Sequence, residues 1–250
     1  MIWSTSRNKS TYSRVIVIVS ILAFGLVGGF FVAQFGVLPG TEWVSIVMML
    51  GIAAISYIAL VRDSGYKWII FLVLSGLLAV GFEYLGIHTC FPYGCFTYGD
   101  ILGIKLRNTV PWTVFVWWTP LIIWVYAVLR KYLQSRWLII VIWAIFLTLI
   151  DMVLDPGAVL LGFWAFDAGG WYYNVPWSNF GGWLISGSVG MSLAYGLLHT
   201  HKVSVWWTYS AWLTLSFFSF VALWSGMWIP TTLWWLLLGR YFIYLYQLSS

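Results

Sequence analysis

The sequence predicts an all-α polytopic membrane protein: a transmembrane helical bundle of about eight spans, with seven as the alternative. Three observations lead there. Of the 250 residues, 62% are hydrophobic and only 8% charged, against roughly 25% charged in soluble domains. Apolar runs recur at close to the roughly 20 residues that cross a bilayer as a helix. The basic residues sit between those runs and not on one polar face, so the net charge of +5 is no nucleic-acid signal.

The elements follow in order. A first span, near 15–36, comes after Arg7, Lys9 and Arg14. It is long and lacks a clear small-residue cleavage site, so it reads as a retained helix and not a signal peptide. Gly25 and Gly29 give it a smooth packing stripe. Spans near 43–61 and 68–87 follow, separated by Arg62 and Lys67. A long loop, roughly 88–110, leads to a fourth span near 111–129. Arg130, Lys131 and Arg136 divide that span from a fifth, near 137–154. Pro156 disfavours helical geometry at Asp155, so the fifth helix is expected to stop there. A second long loop, roughly 155–180, precedes a sixth span near 181–198, where Gly182, Ser186, Gly190 and Ala194 form another small-residue stripe. The last two spans, near 205–225 and 229–247, are separated by LWSGMWIPTT. Arg240 inside the final span is expected to snorkel or to pair within the bundle. The whole chain, 1–250, reads as a single integral membrane domain.

Loop charge orients the bundle. Basic residues flank the first span on its N-terminal side and follow the second, fourth and sixth, where Lys202 stands. The opposite loops hold only Lys105 and Arg107. The positive-inside rule then places both termini in the cytoplasm and the two long loops outside. The expected location is the cell membrane, crossed many times.

Seven acids remain to be placed. Glu83 falls at the end of the third span, and Asp151 and Asp155 at the end of the fifth. Asp100 and Asp167 lie in the long loops, and Glu42 and Asp63 look like flank residues. Carboxyls at membrane depth are costly and usually face a partner or a wet cavity. The plainer reading makes them loop charges paired with Lys105 and Arg107, and it suits Asp100 and Asp167 best. Asp151 and Asp155 are four apart and share a helix face. In a final helical turn they would sit at the negative end of the dipole. A carboxyl that keeps its proton there is what a general acid requires.

Around these acids the chain is aromatic. Trp numbers 20, and interfacial belts explain most of them. The stretch GFWAFDAGGWYYNVPWSNFGGW is denser than a belt needs. Its faces can hold a flat apolar polyene or stabilise a cation. Cys90 and Cys95 either pair as a disulfide or stand as two thiols. His88 beside them makes too small a set for a metal site. Neither a dinucleotide fingerprint nor a P-loop, an HExxH motif or a nucleophile elbow is present.

FEYLGIHTCFPYGCFTYGDILGIKL, followed by VPW and the pair Trp117–Trp118, resembles one signature of the CruF-type carotenoid biosynthesis proteins. That family includes the bisanhydrobacterioruberin hydratases of archaea and related carotenoid hydratases of bacteria. DMVLDP, GFWAF and GGWYYNVPWSNFGGW resemble a second signature. Matching order and spacing cover about residues 80–190, including Glu83, Tyr93, Tyr98, Asp151, Asp155, Trp164, Tyr173, Asn179 and Trp183. Two positions depart from the pattern: Asn174 stands where a glycine is expected before Val-Pro, and Cys95 where a less reactive residue is usual. The resemblance implies addition of water to the terminal trisubstituted double bond of an acyclic carotenoid, giving a tertiary alcohol without any cofactor. Its partners would be carotenoid, water, membrane lipid and other enzymes of carotenoid synthesis. On that chemistry Asp151 or Glu83 is the expected acid and Asp155 the base or water holder. Asn179 and Tyr173 would orient, while Tyr93, Tyr98, Trp117, Trp164 and Trp183 line the substrate. A proton-coupled transporter, a carotenoid-binding scaffold and a carotenoid cyclase are the alternatives.

Overall fold

The computed structural model describes residues 3–130, 135–199 and 204–249. These hold eight α-helices: α1 (Trp3–Phe35), α2 (Glu42–Ser64), α3 (Lys67–Thr89), α4 (Val114–Leu129), α5 (Arg136–Leu160), α6 (Trp177–Leu198), α7 (Tyr209–Trp224) and α8 (Trp228–Ser249). Each lies on one of the expected apolar runs. Among the described residues, four stretches are long and apolar enough to cross a membrane: Ile16–Phe35, Glu42–Asp63, Lys67–Thr89 and Trp137–Leu160. α4 is shorter, with 16 residues; it starts late because Val110 and Pro111 belong to a strand. α7 also has 16 residues and continues directly from a 3-10 turn, Val205–Thr208. The side chain of Arg240, and Lys131 and Lys202, lie outside the described residues.

α4, α5 and α7 form the centre. From Trp118 to Ala127 every residue of α4 is buried, and α7 is buried over most of its length. The surrounding helices turn apolar side chains such as Ile58 and Leu77 outward, as lipid-facing helices do. Small residues set the closest approaches. A Cβ on Gly29 would meet the Phe220 Cβ at 2.8 Å and the Val221 nitrogen at 3.0 Å, so α1 lies directly on α7. Gly190 of α6 likewise leaves 2.8 Å to the Ile122 side chain of α4.

Two helix-interior prolines explain two tyrosines. Proline has no N–H to bond the carbonyl four residues back. Pro120 in α4 therefore frees the Val116 carbonyl, which accepts the Tyr57 hydroxyl from α2. Pro156 in α5 frees the Met152 carbonyl, and Tyr172 donates its hydroxyl there at 2.8 Å. With that carbonyl satisfied, α5 does not stop at Asp155 as expected but runs to Leu160. α3 similarly passes Glu83 and ends at Thr89. The three carboxyls are thus inside their helices, and the helix-end dipole argument does not apply to them. Tyr172 is 1% exposed. Tyr172→Phe should leave a buried carbonyl unpaired and cost about 1–3 kcal/mol. A lowered thermal unfolding midpoint in detergent is the expected readout; an unchanged midpoint would show that the freed carbonyl finds another donor.

The two long loops carry short strands: β1 (Phe96–Tyr98), β2 (Lys105–Leu106), β3 (Val110–Pro111) and β4 (Trp164–Phe166). β2 and β3 form a hairpin, whereas β1 pairs antiparallel with β4 from the other loop. That ribbon joins both loops at one end of the bundle, a feature absent from the all-helical expectation. Cys90 and Cys95 are bridged, with Cα atoms 4.2 Å apart, across the turn between α3 and β1. Alkylation of native protein without reductant should leave both unlabelled. The double Cys→Ser variant should lose about 2 kcal/mol, the loop-closure term for so short a ring. Full labelling of native protein would exclude the bridge.

The acids assigned to flanks have local partners. Glu42 accepts the Gly40 N–H at 3.0 Å. Asp63 pairs with Arg62 at 2.9 Å and accepts the Trp207 indole N–H at 3.0 Å, fastening the 3-10 turn to α2.

Candidate active site

Alternation along the ribbon builds one wall. The register sets Phe96 opposite Phe166, Thr97 opposite Ala165 and Tyr98 opposite Trp164. Successive strand side chains point to opposite faces. Thr97 and Ala165 are exposed, while Phe96, Tyr98, Trp164 and Phe166 line a cavity with about 720 Å³ of empty space, part of it continuous with the outside. The paired rings stand 5.8 Å and 5.9 Å apart. Trp117 and Trp118 of α4 and Trp183 of α6 close other sides. Tyr93 fits beneath because α3 and α6 present glycines to it. A Cβ on Gly86 would meet its ring at 3.1 Å, and one on Gly182 would run into the same ring and the Pro92 backbone.

Two carboxyls from different helices face this cavity, Glu83 from α3 and Asp155 from α5. The Tyr98 hydroxyl donates to Glu83 Oε2 at 2.9 Å. Burial, and then the neighbouring Glu83 carboxyl, hold the Tyr98 phenol well above its ordinary pKa, so it stays a donor. Lys105 Nζ fastens the strand from behind, donating to the Tyr98 carbonyl at 2.8 Å and to Asp100 Oδ1 at 2.7 Å. On the far wall, Asn179 Nδ2 from the first turn of α6 donates to Asp155 Oδ2 at 2.5 Å and to Asp151 Oδ2 at 2.8 Å.

Eight of the ten expected site residues meet at the cavity: Glu83, Asp155, Asn179, Tyr93, Tyr98, Trp117, Trp164 and Trp183. Two do not. Asp151 is 1% exposed and does not line the cavity; it joins the wall through Asn179 and the neighbouring Asp155 side chain. Tyr173 points elsewhere: its hydroxyl accepts the Ile229 N–H at the start of α8, at 3.4 Å. Other wall residues were not foreseen, notably Met49, Trp118, Phe163 and Phe218. Phe96 and Phe166 could have been found from their two-residue spacing to Tyr98 and Trp164. Met49 and Phe218 carry no such signal within their apolar runs.

Both departures from the family pattern have structural reasons. Asn174 has φ +67°, a left-handed conformation that favours glycine and that asparagine tolerates best among other residues. Cys95 is the partner of Cys90. His88 donates its Nδ1–H to the Tyr84 carbonyl at 2.8 Å and stacks on the Tyr84 ring. Among the described residues no three His, Cys, Asp or Glu side chains group as metal ligands.

A helical membrane protein with carboxyls set into an aromatic cleft is the class this fold and cleft define, and it suits a long apolar ligand. The chain belongs to the carotenoid biosynthesis protein family, whose sequence model matches residues 43–245. Over 126 residues it is 40% identical to the bisanhydrobacterioruberin hydratase of Haloarcula japonica. That stretch is 49% of this chain and 43% of the relative, so the match spans less than half of that protein's length. No solved structure matches the chain.

Proposed function

We propose that this protein is a carotenoid hydratase that adds water to the terminal trisubstituted double bond of an acyclic carotenoid, of bacterioruberin or related type. The reading rests on one observation above all: Glu83 and Asp155, held by different helices, face the same aromatic cavity. Membership of the family and the likeness to a protein named as a hydratase support it.

The chemistry divides between the walls. Glu83, protonated, gives its proton to the less substituted alkene carbon, and the electron pair of the double bond forms the new C–H bond. The positive charge develops on the tertiary carbon. Trp164 and Trp183 line the cleft and offer cation–π stabilisation, and the Asp155 carboxylate adds Coulombic stabilisation. A water held by Asp155 and Asn179 adds to the cation, and Asp155 takes the released proton. Proton return to Glu83 through water closes a cycle that is redox-neutral and uses no cofactor. The Trp118 indole N–H, buried on the wall without a protein partner, can hold a water or the new hydroxyl. Asp151 positions Asn179 and so acts through it.

The cleft is proposed to open on the outer face of the cell membrane, with both termini cytoplasmic. Loop charge supports that orientation, and so does a Cys90–Cys95 bridge, which persists in oxidising surroundings.

Expression in a host that makes acyclic carotenoids is the test. Pigments heavier by one water per reacted end are expected. A cyclase would give an isomer of unchanged mass and a transporter no new pigment; either outcome overturns the proposal.

A further inference from the structure

A second cavity lies between the outward face of α3 and the β2–β3 hairpin. It holds about 860 Å³ of empty space, much of it open to the outside. Its floor is Leu77, Val80, Gly81 and Tyr84, one face of α3 by their spacing, and its wall is Leu106 and Val110 of the hairpin. One charge lines it, Arg107, at the turn of the hairpin. The hairpin's other cation, Lys105, is paired with Asp100 at 2.7 Å. Among the described residues no carboxylate lies within 4.0 Å of Arg107.

We infer that this groove binds one anionic phospholipid, its acyl chain on the α3 floor and its phosphate on the Arg107 guanidinium. The placement follows the geometry of a lipid. The apolar floor runs along a membrane-facing helix, and Arg107 lines the same groove from the hairpin that follows that helix in the chain. Guanidinium matches phosphate through paired N–H donors. A hydrocarbon polyene would leave that cation without an anion. Gly81 deepens the floor, since a Cβ built there meets nothing within 4 Å. The hairpin is also tied to the first cavity, because Lys105 holds the Tyr98 carbonyl and Tyr98 holds Glu83. The groove itself stands independently of the hydratase reading.

The test uses the full chain in detergent micelles with equal phosphatidylglycerol and phosphatidylcholine, with bound lipid counted by native mass spectrometry. Wild-type protein should retain one phosphatidylglycerol in preference to phosphatidylcholine. Arg107→Gln should weaken that retention about fivefold, the weight of one basic side chain near an anionic lipid surface. Gly81→Leu fills the groove and improves helix propensity, and should remove retention of both lipids. Gly51→Leu, on the exposed face of α2 with the same open space, should change nothing. Equal retention of the two lipids by wild type overturns the inference. So does phosphatidylglycerol retention that survives Arg107→Gln, a surface change that does not threaten folding. Displacement of lipid by an acyclic carotenoid regardless of Arg107 would give the groove to the polyene and overturn it as well.

Discussion

Glu83→Gln should abolish the hydrated product while the folded protein still accumulates in the membrane. Glutamine keeps the shape of the side chain and can still accept the Tyr98 hydroxyl, which now lies 2.9 Å from Glu83 Oε2. What it loses is the transferable proton, and general-acid catalysis is worth about 10²–10⁴-fold. Alcohol should be quantified against unreacted substrate at matched protein levels. Tyr98→Phe should cost less, because it removes one donor and leaves the acid itself. Near-normal hydration by Glu83→Gln would sink the assignment of Glu83 as donor and turn attention to the opposite wall.

Asp155→Asn is the second large effect expected. Asp155 faces the cavity and Asp151 does not, although one Asn179 nitrogen holds both. Removing the charge at Asp155 takes away both the base and the stabiliser of the cation, again about 10²–10⁴-fold. Asp151→Asn should be milder, since an amide oxygen still accepts from Asn179 and the wall keeps its shape. Asp167 is exposed, so Asp167→Asn should leave turnover near normal. The order to be measured is Glu83 and Asp155 worst, then Asp151, then Asp167. A severe Asp151 variant beside an active Asp155 variant would exchange their roles.

The bundle was legible because its cause is compositional. Apolar runs of bilayer length leave a helix no alternative, and all eight helices fall on those runs. Their ends were less legible. Pro156 looks like a terminator when only its own backbone is considered, and Tyr172, which makes continuation affordable, is a tertiary partner. The same limit applies to the aspartates. Spacing puts Asp151 and Asp155 on one helix face, but which of them reaches the cavity depends on where α6 sets Asn179. Tyr173 was drawn to the site by its aromatic neighbours, whereas its left-handed backbone, φ +50°, turns it toward α8. The ribbon that unites the loops pairs residues far apart in the chain. No local pattern specifies such a partner, though the two-residue alternation on each strand was there to be read.

The partners of the buried acids also bear on how the chain is made. Tyr98 follows Glu83 by only 15 residues, and Asn179 follows Asp151 and Asp155 by 28 and 24. Synthesis proceeds from the N-terminus, and an unpartnered carboxyl at membrane depth is costly. Each acid therefore meets its donor soon after its own helix is threaded into the bilayer, without waiting for the last helices to emerge. Insertion divides naturally into two units, α3 with the loop after it, bringing Glu83 and Tyr98, and α5 through the first turn of α6, bringing Asp155 and Asn179. Pairing of β1 with β4 must wait for the second long loop, so the ribbon that walls the cleft forms only after α3 and α5 have both been made.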